Sequence, residues 1–140
     1  MRLVGLDVGH KVIGVAVSDP TGMVAQGLGR ILRSSRHKAI EELGRIIREC
    51  GAEGVVVGLP RNMDGTIGTA ARDVLRFCDE IRKSLSVPVV TWDERLSTVA
   101  AERAMLEADV SRGKRKRKLD QMAATLILQS YLDYQHNLDT

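Results

Sequence analysis

The stretch Leu3-Val4-Gly5-Leu6-Asp7-Val8-Gly9, followed at once by Lys11-Val12-Ile13-Gly14-Val15-Ala16-Val17-Ser18-Asp19, decides how the chain is read. Its first half is apolar on both faces, the pattern of a strand in the middle of a covered sheet. One ionisable residue interrupts it. With side chains alternating at period two, Asp7 shares a face with Leu3 and Gly5, while Val4, Leu6 and Val8 take the other. A carboxylate near the end of a buried strand is costly unless compensated, and in an enzyme a metal ion is the usual compensation. A turn or helix-capping role is the alternative that this segment leaves open.

Outward from this strand, the chain turns through Gly9-His10 into a second, Val12 to Ser18. Asp19-Pro20-Thr21-Gly22 suits a type I turn, which makes Asp19 structural. A third strand, from about Met23 to Leu32, completes an antiparallel meander. Ser34 or Ser35 caps a helix from about His37 to Cys50, which Gly51 stops. Val55 to Leu59 is a short buried strand ended by Pro60, and a polar loop, Arg61 to Thr69, leads into a helix from about Ala70 to Leu85. Pro88 to Trp92 is the fifth strand and runs into Asp93-Glu94-Arg95. Ser97 or Thr98 caps a short helix through about Leu106; after a basic loop, the last helix runs from near Leu119 to about Tyr134. Three antiparallel strands, then helix–strand–helix–strand–helix, describe an α/β domain over residues 1–140. Its sheet is five-stranded and mixed, three antiparallel strands then two parallel, with helices on both faces.

Composition narrows the function classes. The 140 residues suffice for one core, no apolar run spans a bilayer and no signal-like N-terminus is present, so the expected location is cytoplasmic, with no membrane partner. Cys50 and Cys78 have neither zinc-ligand spacing nor a disulfide framework and read as buried reduced thiols. The net charge is only +3, yet the run Arg112-Gly113-Lys114-Arg115-Lys116-Arg117-Lys118 holds six cations in seven positions. Such a block is either a solvated loop or a polyanion contact, and beside an acidic site nucleic acid leads. The scarcity of aromatics argues against a base-stacking platform, and Trp92 reads as packing.

Ligand sites in open α/β sheets lie outside the carboxyl ends of strands, so Asp7 and the acids ending the fifth strand can converge. Alternation lets only one of Asp93 and Glu94 face the Asp7 side; Glu94 has the longer reach, and the pattern leaves the choice open. Asp120 stands in the first turn of the last helix, where the helix dipole is the competing explanation. Its one-turn neighbours Ala123 and Ala124 allow that helix close to the sheet. Three carboxylates without a Cys/His cluster make a hard-oxygen site for Mg²⁺ or Mn²⁺, and two such ions promote phosphodiester cleavage. Asn62 to Thr69 offers amides and a helix start to a phosphate. Arg61 and Arg95 hold phosphates, balance the carboxylates or simply face solvent. Lys11 and His10 sit in the first turn, where His10 is read as an exposed turn residue, with an approach to the scissile phosphate as the alternative.

Four blocks then carry a resemblance: G-L-D-V-G-H-K-V-I-G-V-A-V-S-D at Gly5 to Asp19, V-V-G-L-P-R-N-M-D-G-T at Val56 to Thr66, D-E-R-L-S-T-V-A-A at Asp93 to Ala101 and K-R-K-L-D-Q-M-A-A at Lys116 to Ala124. In this order they cover nearly the whole chain, which resembles the YqgF family, described both as Holliday-junction resolvases and as pre-16S rRNA nucleases. The resemblance implies a ribonuclease H-like fold and Asp7, Glu94 and Asp120 as catalytic and metal-binding acids, which favours Glu94 over Asp93. It implies two Mg²⁺ or Mn²⁺ ions with substrate bound. Nucleic-acid contacts are expected from Lys11, Arg61, Asn62, Arg95, Arg112, Lys114, Arg115, Lys116, Arg117 and Lys118. The better-known junction resolvases of this fold carry two acids one turn apart on the last helix, whereas Ala123 follows Asp120 here. The expected substrate is therefore structured RNA, a ribosomal RNA precursor or the pre-ribosome, cut at the 5′ end of 16S RNA by a monomer or weak homodimer. Branched DNA is the alternative substrate, and a non-catalytic ribosome-assembly module is the alternative role.

Overall fold

The computed structural model describes residues 1–99, 101–102 and 112–138, and for 112–118 the backbone alone. Strands β1 (Leu3–Val8), β2 (Val12–Ser18) and β3 (Ala25–Leu32) form the antiparallel meander, and β4 (Gly54–Leu59) and β5 (Val89–Asp93) add in parallel. The strand order is β3-β2-β1-β4-β5.

Helices α1 (Arg36–Cys50) and α2 (Thr69–Leu85) share one face. The Ser35 side chain accepts the Lys38 amide, and Gly51, left-handed at φ 65, closes the other end of α1. The helices bury Ile40, Leu43, Ile47, Val74, Phe77 and Ile81 against Val4, Leu6, Ile13, Val15, Val55 and Val57. Cys78 lies in this core, where burial pushes its thiol up to about 11 and keeps it protonated and inert.

The opposite face belongs to α3 (Arg112–Leu138), whose Ala123, Ala124, Ile127 and Leu128 are fully buried. The sheet beneath it is paved with glycine. A β-carbon on Gly5 would stand 2.6 Å from Leu128 Cβ, one on Gly27 3.1 Å from Gln121 Oε1, and one on Gly58 2.5 Å from Ile127 Cδ1. One on Gly14 would overlap the carbonyl oxygen of Asp120. Four strands thus omit a side chain where α3 crosses, and at Gly14 the helix backbone itself rests on the sheet. Trp92 packs beneath its far half, donating to Ser130 Oγ at 2.9 Å with its ring edge-on to Tyr131.

Two boundaries differ from expectation. The Asp19 carboxylate accepts the amides of Met23 and Val24, so these two residues complete the turn and β3 begins at Ala25. The basic run is helix rather than loop, because α3 starts at Arg112; lysine and arginine favour helix, and no proline intervenes. Residues 99, 101 and 102 are helical, and the remainder of the short helix expected to Leu106 lies outside the described residues.

Gly14→Ala is expected to lower stability by about 1–3 kcal/mol, the usual cost of forcing extra volume into a packed contact. Urea unfolding checks this, since an unchanged midpoint would mean that α3 does not rest on β2.

Candidate active site

Register assembles the site. Asp7 pairs with Gly14 and Gly14 with Arg30, so these three form one row across β1, β2 and β3. Gly58 continues the row on β4, one residue beyond the Val57 that pairs with Leu6, and Gly58 in turn pairs with Trp92. The two glycines make room for acids from elsewhere: Glu94 Oε1 lies over Gly58, and the Asp120 backbone lies over Gly14. A cavity of about 750 Å³ opens at this level, lined by Asp7, Glu94 and Asp120 together with Gly9, His10 and the start of α2. Segments that lie far apart in sequence therefore meet in one pocket.

Asp93 and Glu94 divide their duties. Asp93 ends β5, accepts from the Arg95 amide and guanidinium, and stands 4.0 Å from Arg61. The Arg95 hydrogen bonds hold its carboxyl below the usual range. Glu94 opens the 3₁₀ turn Glu94–Leu96 and reaches the cavity. Arg61 and Arg95 are thus committed within the protein, Arg61 also donating to the Gly65 carbonyl and Arg95 to that of Met63.

The loop after β4 offers less to a phosphate than expected. Asn62 and Thr66 bond through both backbone and side chain, Gly65 donates to the Asn62 carbonyl, and the Thr66 amide donates to Asp64. Those amides are spent inside the loop. What remains is the first turn of α2, where Gly68 gives no side-chain cap and Thr69 and Ala70 line the cavity. Lys11 is exposed in the first hairpin turn. Arg112, Lys114, Arg115, Lys116, Arg117 and Lys118 occupy the two helical turns preceding Asp120, and their side chains lie outside the described residues.

His10, for which the sequence left an exposed turn position and an approach to the phosphate open, is exposed in its turn and also lines the cavity. Two features escaped sequence reasoning. Arg30 Nη1 stands 3.5 Å from Asp120 Oδ2. Arg33 clamps the first hairpin to α2, donating to the Gly9 carbonyl at 2.8 Å and to both oxygens of Asp73, with its guanidinium over the Phe77 ring. A readable signal was the recurrence of glycine on one face of four strands, opposite the alanines of α3.

Oxygen-only acids suit a hard divalent ion. Asp120 Oδ2 is buried and accepts no hydrogen bond, so a ligand position is open on it. As they stand, no three His, Cys, Asp or Glu side chains among the described residues are arranged to hold one ion. The donor chemistry fits the metal, and loading it requires the acids to close.

Residues 1–134 match the family model described as RuvX: Holliday junction resolvase. The chain belongs to the RuvX family. Relatives of this RuvX chain named "Putative pre-16S rRNA nuclease" include one from Desulforamulus reducens, 53% identical over 133 residues that cover 95% of this chain and 97% of the relative. Another, from Thermoanaerobacter pseudethanolicus, is 51% identical over 138 residues covering 98% and 99%. Among solved structures, Thermus thermophilus RuvC in complex with Holliday junction substrate superposes with a TM-score of 0.60 at 15% identity, covering 98% of this chain and 96% of that one. The fowlpox virus Holliday junction resolvase gives 0.55 at 14%, covering 96% and 99%. At such identities the likeness is one of fold, and the RuvX chain has the ribonuclease H-like fold that its four sequence blocks implied.

The Arg33 hydrogen bonds also hold the Asp73 carboxyl below its usual range. A carboxyl depressed in the folded state stabilises above its unfolded pKa and ceases to do so as pH falls through the folded one. Asp73→Asn is therefore expected to cost about 1 kcal/mol at neutral pH, with the difference from the parent closing below about pH 4. Thermal unfolding from pH 7 to pH 2.5 checks it, and a pH-independent difference would contradict it.

Proposed function

We propose that this RuvX-family chain is a divalent-metal-dependent nuclease that processes the 5′ end of pre-16S ribosomal RNA in the cytoplasm. The observation that carries the reading is the meeting of Asp7, Glu94 and Asp120 in one cavity at the strand ends, with a buried Asp120 oxygen that accepts no hydrogen bond. Asp7, Glu94 and Asp120 are the residues that would hold Mg²⁺ or Mn²⁺. When bound, such ions supply water activation and charge neutralisation at the phosphate.

The chain's own residues do the remainder. Asp7 near the end of β1, Glu94 in the turn after β5 and Asp120 on α3 over Gly14 are held around one cavity by the packed sheet, so only a short closure separates them from a shared ion. The open first turn of α2 receives a backbone phosphate, and the basic turns of α3, directly before Asp120, bring salt-sensitive affinity to the cavity's edge. Lys11 adds a cation at the hairpin. Arg61 and Arg95 keep Asp93 neutralised, so that Glu94 alone of the pair serves the site.

The relatives' names support RNA as the substrate. The family's description and its fold neighbours supply the second reading, cleavage of branched DNA. Against that reading, the α3 position one turn beyond Asp120 is Ala123, fully buried against the sheet, so no second acid enters the cavity from there.

Purified wild type, Asp7→Asn, Glu94→Gln and Asp120→Asn are to be incubated with precursor 16S RNA and with a four-way DNA junction, with Mn²⁺ and with chelator. Wild type is expected to cut the RNA only with metal, and each substitution to lower the rate by at least about 100-fold, more than the loss of a residue supporting a ligand. Undiminished cleavage by the variants would sink the assignment. Metal-independent RNA binding without turnover would favour a non-catalytic assembly role, and preference for the junction would favour DNA.

A further inference from the structure

Arg30 reaches the site by a specific distortion of the sheet. Ala25 and Gly27 of β3 lie on the α3 face, Ala25 packed in its core and Gly27 under Gln121. Simple alternation would send Arg30 to the opposite face. A bulge intervenes: Ala16 pairs with Gly27 but Val15 pairs with Gly29, which leaves Leu28 as an extra residue. Gly29, at φ 156, absorbs the irregularity. Parity then reverses, Ile31 enters the α1/α2 core opposite Ile13, and Arg30 joins the row of Gly14 and Asp7. Bulges commonly re-aim a side chain beside a functional site.

What Arg30 meets there is Asp120. The guanidinium stands 3.5 Å from Oδ2, near enough for charge attraction, yet that buried oxygen accepts no hydrogen bond. The side chains as wholes remain 33% and 20% exposed, so a competitor from solvent reaches the guanidinium and the carboxyl group although Oδ2 itself is covered. A divalent ion and a guanidinium both seek the same carboxylate, and a phosphate and a carboxylate both seek the same guanidinium.

We propose that Arg30 is a resident counter-cation that competes with the divalent ion for Asp120, and that a phosphate of bound nucleic acid draws Arg30 away and frees Asp120 for the metal. Metal loading and substrate binding are then coupled through one arginine, and the coupling is reciprocal. Arg30 is a positioning residue, since it acts through Asp120. The inference rests on the metal reading above and adds to it the order in which the charges are exchanged.

Mn²⁺ binding to the full chain, followed by calorimetry and by the paramagnetic signal of the free ion, tests this without any turnover. The proteins are wild type, Arg30→Gln, Arg30→Lys and Arg76→Gln, each alone and with a phosphorothioate RNA hairpin. Arg76 lines the same cavity and controls for the general loss of one positive charge. Without RNA, Arg30→Gln is expected to bind Mn²⁺ roughly five- to tenfold more tightly than wild type, while Arg30→Lys stays near wild type. RNA should tighten Mn²⁺ binding by wild type and much less by Arg30→Gln. Equal or weaker binding by Arg30→Gln, or a gain no larger than that of Arg76→Gln, overturns the competition and leaves the metal reading standing. No Mn²⁺ binding by any of the four overturns the metal reading and the competition together.

Discussion

The structure depends on a helix packed closely against a sheet that withholds its own side chains along the helix's path. Gly5, Gly14, Gly27 and Gly58 withhold their side chains from the path of α3, and Ala123 and Ala124 answer from the helix. At Gly14 backbone meets backbone, while Leu128, Gln121 and Ile127 of α3 fill the places that Gly5, Gly27 and Gly58 leave empty. The approach brings the Asp120 backbone, two turns into α3, onto Gly14 near the start of β2. A bulkier residue at any of these positions would lift the helix, and Asp120 with it, away from Asp7.

This packing also explains how acids can be gathered without strain. In the row across the sheet, the glycine positions alternate with the charged ones, and each gap is filled from another segment: Glu94 from the turn after β5 and Asp120 from α3. Neighbouring cations then sort the carboxylates. Arg95 and Arg61 take Asp93, Arg33 takes Asp73, and Arg30 stands off Asp120 without a hydrogen bond. The tightly bound acids brace the frame of the cavity, whereas Asp120 is left open to exchange.

Much of this was legible in the chain. Period-two alternation placed Asp7 with Gly5 on the face that α3 covers, and the small residues after Asp120 foretold the close helix. The capping of α1 by Ser35, the turn held by Asp19 and the packing of Trp92 also follow from local chemistry. The choice between Asp93 and Glu94 needed more, because it depends on where β5 ends and which arginines stand nearby. Arg30 was hidden for a sharper reason. Its face is set by the bulge at Leu28, and one extra residue reverses parity in a way that no pattern of hydrophobicity announces. The basic run was misread as a loop because charge density suggested solvation, while the helix-forming preference of lysine and arginine prevailed.

The central claim is that Asp7, Glu94 and Asp120 act on one divalent ion. Anomalous diffraction from crystals soaked in Mn²⁺ tests it most directly. The account predicts a manganese peak within ligating distance of all three carboxylates, with Asp120 drawn away from Arg30. Manganese bound elsewhere, with the three acids as far apart as before, would contradict it.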